Sequence, residues 1–413
     1  MTGDHTKRER PSLGLVVSTF VGFSLVLTAC VAPSANTAMS HSSVSSTTTT
    51  LAPSPTATRV TTPSGMASST LPGMPPQLDP RDVYAADRPN QLSRAVAGDP
   101  YRIYVPNTKS NTVTVIDPTT YKVVATYRVG RQPQHVVPSW DLKTLWVNDD
   151  LGNTLTAIDP KTTRPVRRVR VHDPYNLYFT PDGKSAVVMA SKDQRLVFRD
   201  PHSMKVQKVV PAGCVGVNHA DWTADGRFFL VSCEFDGRLL WVDTARRRVV
   251  ARLSLGRGAM PQDVKLSPDG STFYVADMMS NGVWTVRTHG GAVPTIGRLL
   301  PTGVGAHGLY VSRDSTRLFI SNRGEGSISV LRFRDMALIS KWSIPGGGSP
   351  DMGGVSPDGK VLWLSGRFNH VVYAISTTTG ALLAKIRVGT GPHGLAVFPQ
   401  PGRYSLGHTG VFR

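Results

Sequence analysis

Cysteine is scarce in this chain, with three in 413 residues. None stands in C-x-x-C spacing, which excludes zinc ribbons, thioredoxin-like redox pairs and covalent haem attachment through C-x-x-C-H. H-E-x-x-H and G-x-S-x-G are also missing, removing the common zinc-protease and α/β-hydrolase signatures. Acidic residues are few, 28 against 46 basic ones, for a formal charge of +18. No helical periodicity of useful length appears after residue 100. Two G-x-G-x-x-G matches, Gly303 to Gly308 and Gly389 to Gly394, each precede a strand and not a helix, so no helix N-terminus is present to hold a pyrophosphate. Gly354 to Lys360 mimics a phosphate loop until Val361 replaces the required Ser or Thr.

What is present is repetition. A bend ahead of an apolar stretch returns every 41 to 45 residues, at His135, Asn176, His219, Asp263, His307, Met352 and His393. A turn follows each bend. It is clearest at Thr180-Pro-Asp-Gly183, Thr223-Ala-Asp-Gly226, Ser267-Pro-Asp-Gly270 and Ser356-Pro-Asp-Gly359, and degenerate at Ser139 to Leu142, Ser312 to Ser315 and near Pro399 to Gly402. A β-rich run comes next, as in Tyr104-Val-Pro-Asn107 and Trp363-Leu-Ser-Gly366, and then two further strands. Four short strands per ~42-residue unit predict an all-β, seven-bladed propeller. The repeats begin with a second strand (Tyr101 to Asn107) and stop after a first strand (Pro392 to Phe398). Pairing of these N- and C-terminal strands closes the ring and removes exposed sheet edges.

These units resemble the YVTN-repeat β-propeller family, whose consensus runs close to P-H-G-x-A-V-S-P-D-G-K-x-x-Y-V-T-N. The resemblance spans residues 99–413 and specifies the fold. For function it implies a choice among binding scaffolds, lactone-cleaving enzymes and the d-type haem domains of nitrite reductases.

Residues 1–29 have the layout of a secretory signal. Lys7, Arg8 and Arg10 precede an apolar stretch from Leu13 to Leu27, and Leu27-Thr-Ala-Cys30 resembles a bacterial lipobox with Cys30 as the lipidated residue. The alternative is a retained membrane helix, for which the stretch is short. Both place the propeller outside the cytoplasm, on the outer face of the cell membrane. Residues 30–78 are dominated by Ser, Thr, Pro and Ala and read as a disordered tether of roughly 40 Å. Residues 79–98 read as an extension packed on the propeller, and topology points the loop-rich mouth away from the membrane.

If the turn at Thr223 sets a hairpin with Trp222 facing Arg227, Cys214 and Cys233 lie nearly opposite each other, and an oxidising compartment favours their disulfide. Free thiols, or a Cys/Cys/His219 metal site, are the rivals. Excess positive charge suits anionic wall polymers or headgroups. The densest clusters, Arg164 to Arg170 and Arg246 to Arg252, fall on or beside outermost strands, where charge also discourages edge pairing. No interleaving of aromatic and basic residues argues for nucleic acid.

The bend residues should meet at the axis near the mouth, with Tyr175, Gln262 and Asp351 beside them. His135, His219, His307 and His393 could ligate a transition metal or haem iron, or simply hydrogen-bond neighbouring blades. A second ring, including Asn107, Lys109, Asn148, Asp149, Lys192, Glu234, Asp277, Asn322, Arg323 and Arg367, should surround the mouth and suit polar ligands or peptides. The tail from Gly402 to Arg413, with His408, is expected to dock on the opposite face. The leading functional expectation is a lipid-anchored, non-enzymatic binding scaffold without cofactor, presenting its mouth to an envelope protein or anionic polymer. A tetrapyrrole- or metal-binding propeller is the first alternative. It rests on the bend histidines and on Asn218-His-Ala-Asp-Trp222 with Gly226-Arg-Phe-Phe-Leu230, which resemble d-haem domains. A lactonase-like hydrolase is the second.

Overall fold

The computed structural model describes residues 70–413; the signal segment, Cys30 and the tether up to residue 69 lie outside the described residues. Seven antiparallel sheets, six of four strands and one of six, form the blades. The inner strands of blades 2 to 7 are Pro133–Pro138, Asn176–Phe179, Val217–Trp222, Pro261–Leu266, Ala306–Val311 and Pro350–Val355. Blade 1 takes its inner strand, Ala396–Phe398, from the far end of the chain. This strand pairs antiparallel with Arg102–Asn107, Tyr104 opposite Ala396 and Arg102 opposite Phe398, so the ring closes as the repeat phase requires.

Burial falls outward along each blade. All six residues of Pro261–Leu266 are buried, whereas Arg248–Ser254, outermost in blade 4, alternates exposed and half-buried positions. Apolar side chains fill the wedges between blades; Phe319 of blade 6, for example, packs with Leu362 and Leu364 of blade 7. Arg164–Arg170 is the outermost strand of blade 2, and Arg167 lies over the Trp146 ring at 4.9 Å.

One piece of chemistry repeats at the face opposite the mouth. In Thr180-Pro-Asp-Gly183 the Thr180 hydroxyl donates to Asp182 at 2.6 Å and accepts from the Ser185 amide at 3.0 Å, while Gly183 N donates to Thr180 O at 2.8 Å. Two of the three degenerate copies, at Ser139 and Ser312, form the same turn, with Leu142 (φ 64°) and Ser315 (φ 59°) at the glycine position. The Ser/Thr and Asp side chains are therefore the conserved physics of the turn, and glycine only lowers the cost of its left-handed position.

These turns are covered. Leu71 N donates to Asp225 O at 2.8 Å, Val83 N to Pro268 O at 2.8 Å and Asn90 N to Pro357 O at 2.9 Å. Residues 70–98 thus cross the turn-bearing face from blade to blade, and packing begins at the buried Leu71.

The tail does more than dock on that face. Ser405–Gly407 and Val411–Phe412 extend blade 3 inward past Asn176–Phe179, carrying residues 405–413 into the axis. Asp221 accepts from Arg413 Nη2 at 2.8 Å. Lys265 Nζ donates to Thr409 O at 3.1 Å, and Thr409 Oγ1 donates to Asp263 at 3.1 Å. The expectation of simple surface docking is corrected: buried charges on the inner strands of blades 4 and 5 draw the tail inside.

Candidate functional site at the mouth

Strand register sorts the seven bends into two tiers. The inner strands of blades 2, 4, 5, 6 and 7 start with the pairs Pro133–Asp149, Val217–Cys233, Pro261–Asp277, Ala306–Asn322 and Pro350–Gly366. Pro392 meets Asn107 in the same way. One residue further in stand Gln134, Asn218, Gln262, His307, Asp351 and His393, with Tyr175, as an upper tier at the mouth. The next residues, His135, Asn176, His219, Asp263 and Met352, form a lower tier, where Gly308 and Gly394 carry no side chain. His307 and His393 therefore do not share a ring with His135 and His219. The His135 and His393 rings nevertheless approach to 4.8 Å across the tiers, and among the described residues no group of three or more His, Cys, Asp or Glu side chains is arranged to hold a metal ion.

Asp351 organises the upper tier. It is fully buried, and its oxygens lie 3.0 Å from Arg323 Nη1, 3.1 Å from His307 Nδ1, 2.6 Å from His393 Nδ1 and 3.9 Å from Arg367 Nε. Burial opposes its ionisation, but His307, Arg323 and Arg367 together hold its carboxyl below the ordinary range. Arg323 Nη1 also donates to His307 Nε2 at 3.1 Å, which leaves the His307 proton on Nδ1, facing Asp351. Two guanidiniums thus share one carboxylate, and Arg367 Nη1 is buried without a partner. Gln134 Oε1 and Asn218 Oδ1 are likewise buried and unpaired. Asn218 donates to Glu234 at 2.9 Å, and burial raises the Glu234 carboxyl above its usual value.

The lower tier is sealed. His135 Nδ1 donates to Tyr175 O at 2.8 Å, and Tyr178 OH donates to His219 Nδ1 at 3.0 Å. Met352 Sδ accepts from Tyr310 OH at 3.7 Å, and Asn176 donates to Asn218 O at 3.3 Å. His408, from the tail, occupies the room left by Gly394, where an added Cβ would stand 2.7 Å from His408 Cε1. The His408 ring is 4.2 Å from that of His135 and 5.5 Å from that of His219. Burial pushes His135 down to about 3 and drives His219 and His408 well below the ordinary imidazole value, so all are neutral. Burial raises Asp263 to about 6 despite the nearby Lys265. The open space beside His408 is about 10 Å³.

The second ring divides. Asn107 donates to Thr112 and Thr114, Asp149 accepts from Thr154 and Thr156, Asp277 accepts from Trp284, and Asn322 donates to Ser327 and Ser329. These four tie second strands to third strands inside their blades and do not address the mouth. Arg323, Arg367 and Glu234 do. Sequence reasoning missed the apolar rim around them: Phe235, Met279, Val304 and Phe368 are exposed, Phe368 by 67%. Arg323 lies 5.6 Å from the Phe368 ring. The signal was available, since each is a large apolar residue within a polar mouth loop.

Cys214 and Cys233 form a disulfide with Cα atoms 6.1 Å apart, near the mouth. The hairpin register behind that pairing differs from expectation. Trp222 faces Phe229, not Arg227, because the side-chain-closed turn spans Thr223 to Phe228.

The model of the YNCE-like β-propeller matches residues 77–403. The chain belongs to that family. No curated relative matches the sequence. Among solved structures, this propeller is similar to hydrazine synthase of Kuenenia stuttgartiensis (19% identity, TM-score 0.59, covering 72% of this chain and 97% of that one). It is also similar to the periplasmic gluconolactonase of Pseudomonas aeruginosa (18%, 0.60, 73% and 99%). A third similar structure is a putative 6-phosphogluconolactonase of Bacteroides uniformis (16%, 0.57, 72% and 99%). At these identities the likeness is one of fold.

Proposed function

We propose that this YNCE-like propeller, of the YVTN-repeat type, is a membrane-tethered, extracytoplasmic binding protein without catalytic activity. Its mouth takes an acidic, aromatic-bearing segment of an envelope protein. The observation that carries this is the mouth itself: Arg323 and Arg367 share one carboxylate, Arg367 Nη1 has no partner, and exposed Phe235, Met279, Val304 and Phe368 ring them. Arginine, aromatic residues and methionine are the groups enriched where proteins meet. A wall polymer recognised by charge alone would have no use for the apolar rim. The lipobox-like Leu27 to Cys30 and the Cys214–Cys233 disulfide support the compartment. Residues 70–98 lie on the opposite face, which supports a mouth directed away from the membrane.

One observation favours a second reading, lactone hydrolysis. Glu234 is a carboxyl at the mouth with a raised pKa, suited to act as a base. The full chain in non-ionic detergent, titrated with a Glu-Tyr random copolymer, polyglutamate and polyphosphate, separates the readings. The binding account expects the Glu-Tyr copolymer to bind at least about tenfold tighter than polyglutamate, a preference that Phe235→Ala with Phe368→Ala abolishes. Equal binding of polyphosphate, unaffected by those changes, supports a wall polymer. Turnover of a lactone that is lost in Glu234→Gln supports the hydrolase.

A further inference from the structure

Between blades 5 and 6, on the turn-bearing face away from the mouth, lie two adjoining cavities of about 470 and 440 Å³ that share Thr272 and Met336 as walls. Each is of the size that takes a small organic ligand, roughly 300–1,000 Å³. The first is lined by Arg81, Arg332 and Arg334, the second by Arg287 and Arg298. Asp269 is the acidic residue among the walls, and its carboxylate is taken up by the Ser267 and Ser271 hydroxyls at 2.5 and 2.9 Å.

The five guanidiniums are not equivalent. Arg332 pairs with Asp335 at 2.6 Å, Arg334 approaches the same carboxylate at 3.8 Å, and Arg81 pairs with Asp79 at 3.4 Å. Arg287 and Arg298 have no ion pair among the described residues. They sit on adjacent strands: Arg287 faces Thr295, and Thr285 Oγ1 donates to Arg298 O at 3.0 Å. Arg287, two residues beyond Thr285, shares that face of the sheet. Both unpaired guanidiniums line the second cavity, and they are the charged donors that a phosphate needs; the Thr285 hydroxyl is spent on Arg298 O and that of Thr295 is bonded to His289 Nε2 at 2.9 Å.

The first cavity supplies a different chemistry. Phe333 and Met336 line it, with Phe333 edge-on to the buried Tyr274 at 5.5 Å. An anion site opening onto an apolar, aromatic wall fits a molecule with both parts. We propose that the two cavities are one binding site for an organic phosphate ester, with its phosphate between Arg287 and Arg298 and its apolar body against Phe333 and Met336. The proposal is independent of what the mouth binds.

The test titrates the full chain in non-ionic detergent with phenyl phosphate and inorganic phosphate. The expected result is phenyl phosphate binding about tenfold or more tighter than inorganic phosphate. Arg287→Ala with Arg298→Ala should weaken both by at least about tenfold, and Met336→Ala should weaken only phenyl phosphate. All three positions are exposed or half-exposed, so the melting temperature serves as the folding control. Competition by phosphatidylglycerol nanodiscs but not by sn-glycerol 3-phosphate assigns the ester to a lipid headgroup; the reverse assigns it to a soluble ester. Equal affinity for the two phosphates, or unchanged binding in the arginine double variant, overturns the proposal.

Discussion

The two ends of the propeller axis are built from the same seven inner strands and finish in opposite ways. At the turn end, charges inside the ring are matched: Asp221 holds Arg413 and the Leu266 amide, and Asp263 holds Thr409 and the Leu309 amide. Residues 70–98 and the tail then close that end. At the mouth, the Gln134, Asn218 and Arg367 side chains keep buried atoms without partners, and apolar rings stand in solvent. Unsatisfied buried polar atoms each cost stability, about 1–3 kcal/mol. The closed end also keeps a few such atoms, at Asp87 and His408, so what sets the mouth apart is that its unpaired arginine nitrogen stands beside exposed apolar side chains, the feature on which the proposed binding role rests. The repeat supplies the ring, and the departures from the repeat distinguish its ends.

Acidification should break the comparison most strongly, because it strikes the axis at both levels. His135, His219, His307, His393 and His408 are all driven down by burial. A depressed imidazole binds its proton more weakly folded than unfolded, so stability is lost as pH falls from about 6.5 toward the folded value, about 3 for His135. Each should cost about 2 kcal/mol between pH 6.5 and 5. Asp87, raised by burial to about 7, Asp149, Asp173 and Asp263, raised to about 6, and Glu234 and Asp99, also raised by burial, act in the opposite sense, adding stability as pH falls through their folded values. Five imidazoles at about 2 kcal/mol each outweigh these carboxyls, so chemical denaturation should show a protein less stable at pH 5 than at pH 7.5.

Next in size is Asp221→Asn at the sealed end, which strands the buried Arg413 guanidinium. Loss of about 3–5 kcal/mol is expected in denaturant titration, with copolymer binding at the mouth unchanged once the protein is folded. A smaller and more discriminating change is His408→Leu. Both ring nitrogens of His408 are buried without partners, so an apolar side chain of similar size should cost less than about 1.5 kcal/mol at pH 7.5. It should recover up to about 2 kcal/mol at pH 5. The smallest effect on folding, within about 0.5 kcal/mol, belongs to Phe368→Ala on the exposed rim, where the change is read in binding.

Much of this was legible in the sequence. The return of Ser/Thr-x-Asp-Gly and of the bend residues gave the blade count, and the phase of the two chain ends gave the closure. The chain positions of Asp351, Arg323 and Arg367 placed them at the mouth. The two tiers were not legible, because the start of each inner strand, marked in five blades by a shift in pairing, decides whether a bend residue faces the mouth or the axis below it. Aligning His307 with His135 by residue type crosses that shift. The four strand-end residues from Asn107 to Asn322 looked like mouth groups because polar residues at loop boundaries usually face solvent, yet third-strand partners, hydroxyls for three of them and the Trp284 indole for Asp277, turn them inward. His408 was hidden for a third reason. It stands where Gly394, on a different strand, leaves a gap that His135 and His408 share.

The central claim is that the mouth is the working end and the opposite end is closed. Hydrogen–deuterium exchange of the full chain with and without the Glu-Tyr copolymer tests it directly. The account predicts new protection in the mouth loops that carry Phe235, Met279, Val304, Arg323 and Phe368, and none in residues 70–98 or 403–413. Protection confined to those two segments, with the mouth loops unchanged, would contradict it.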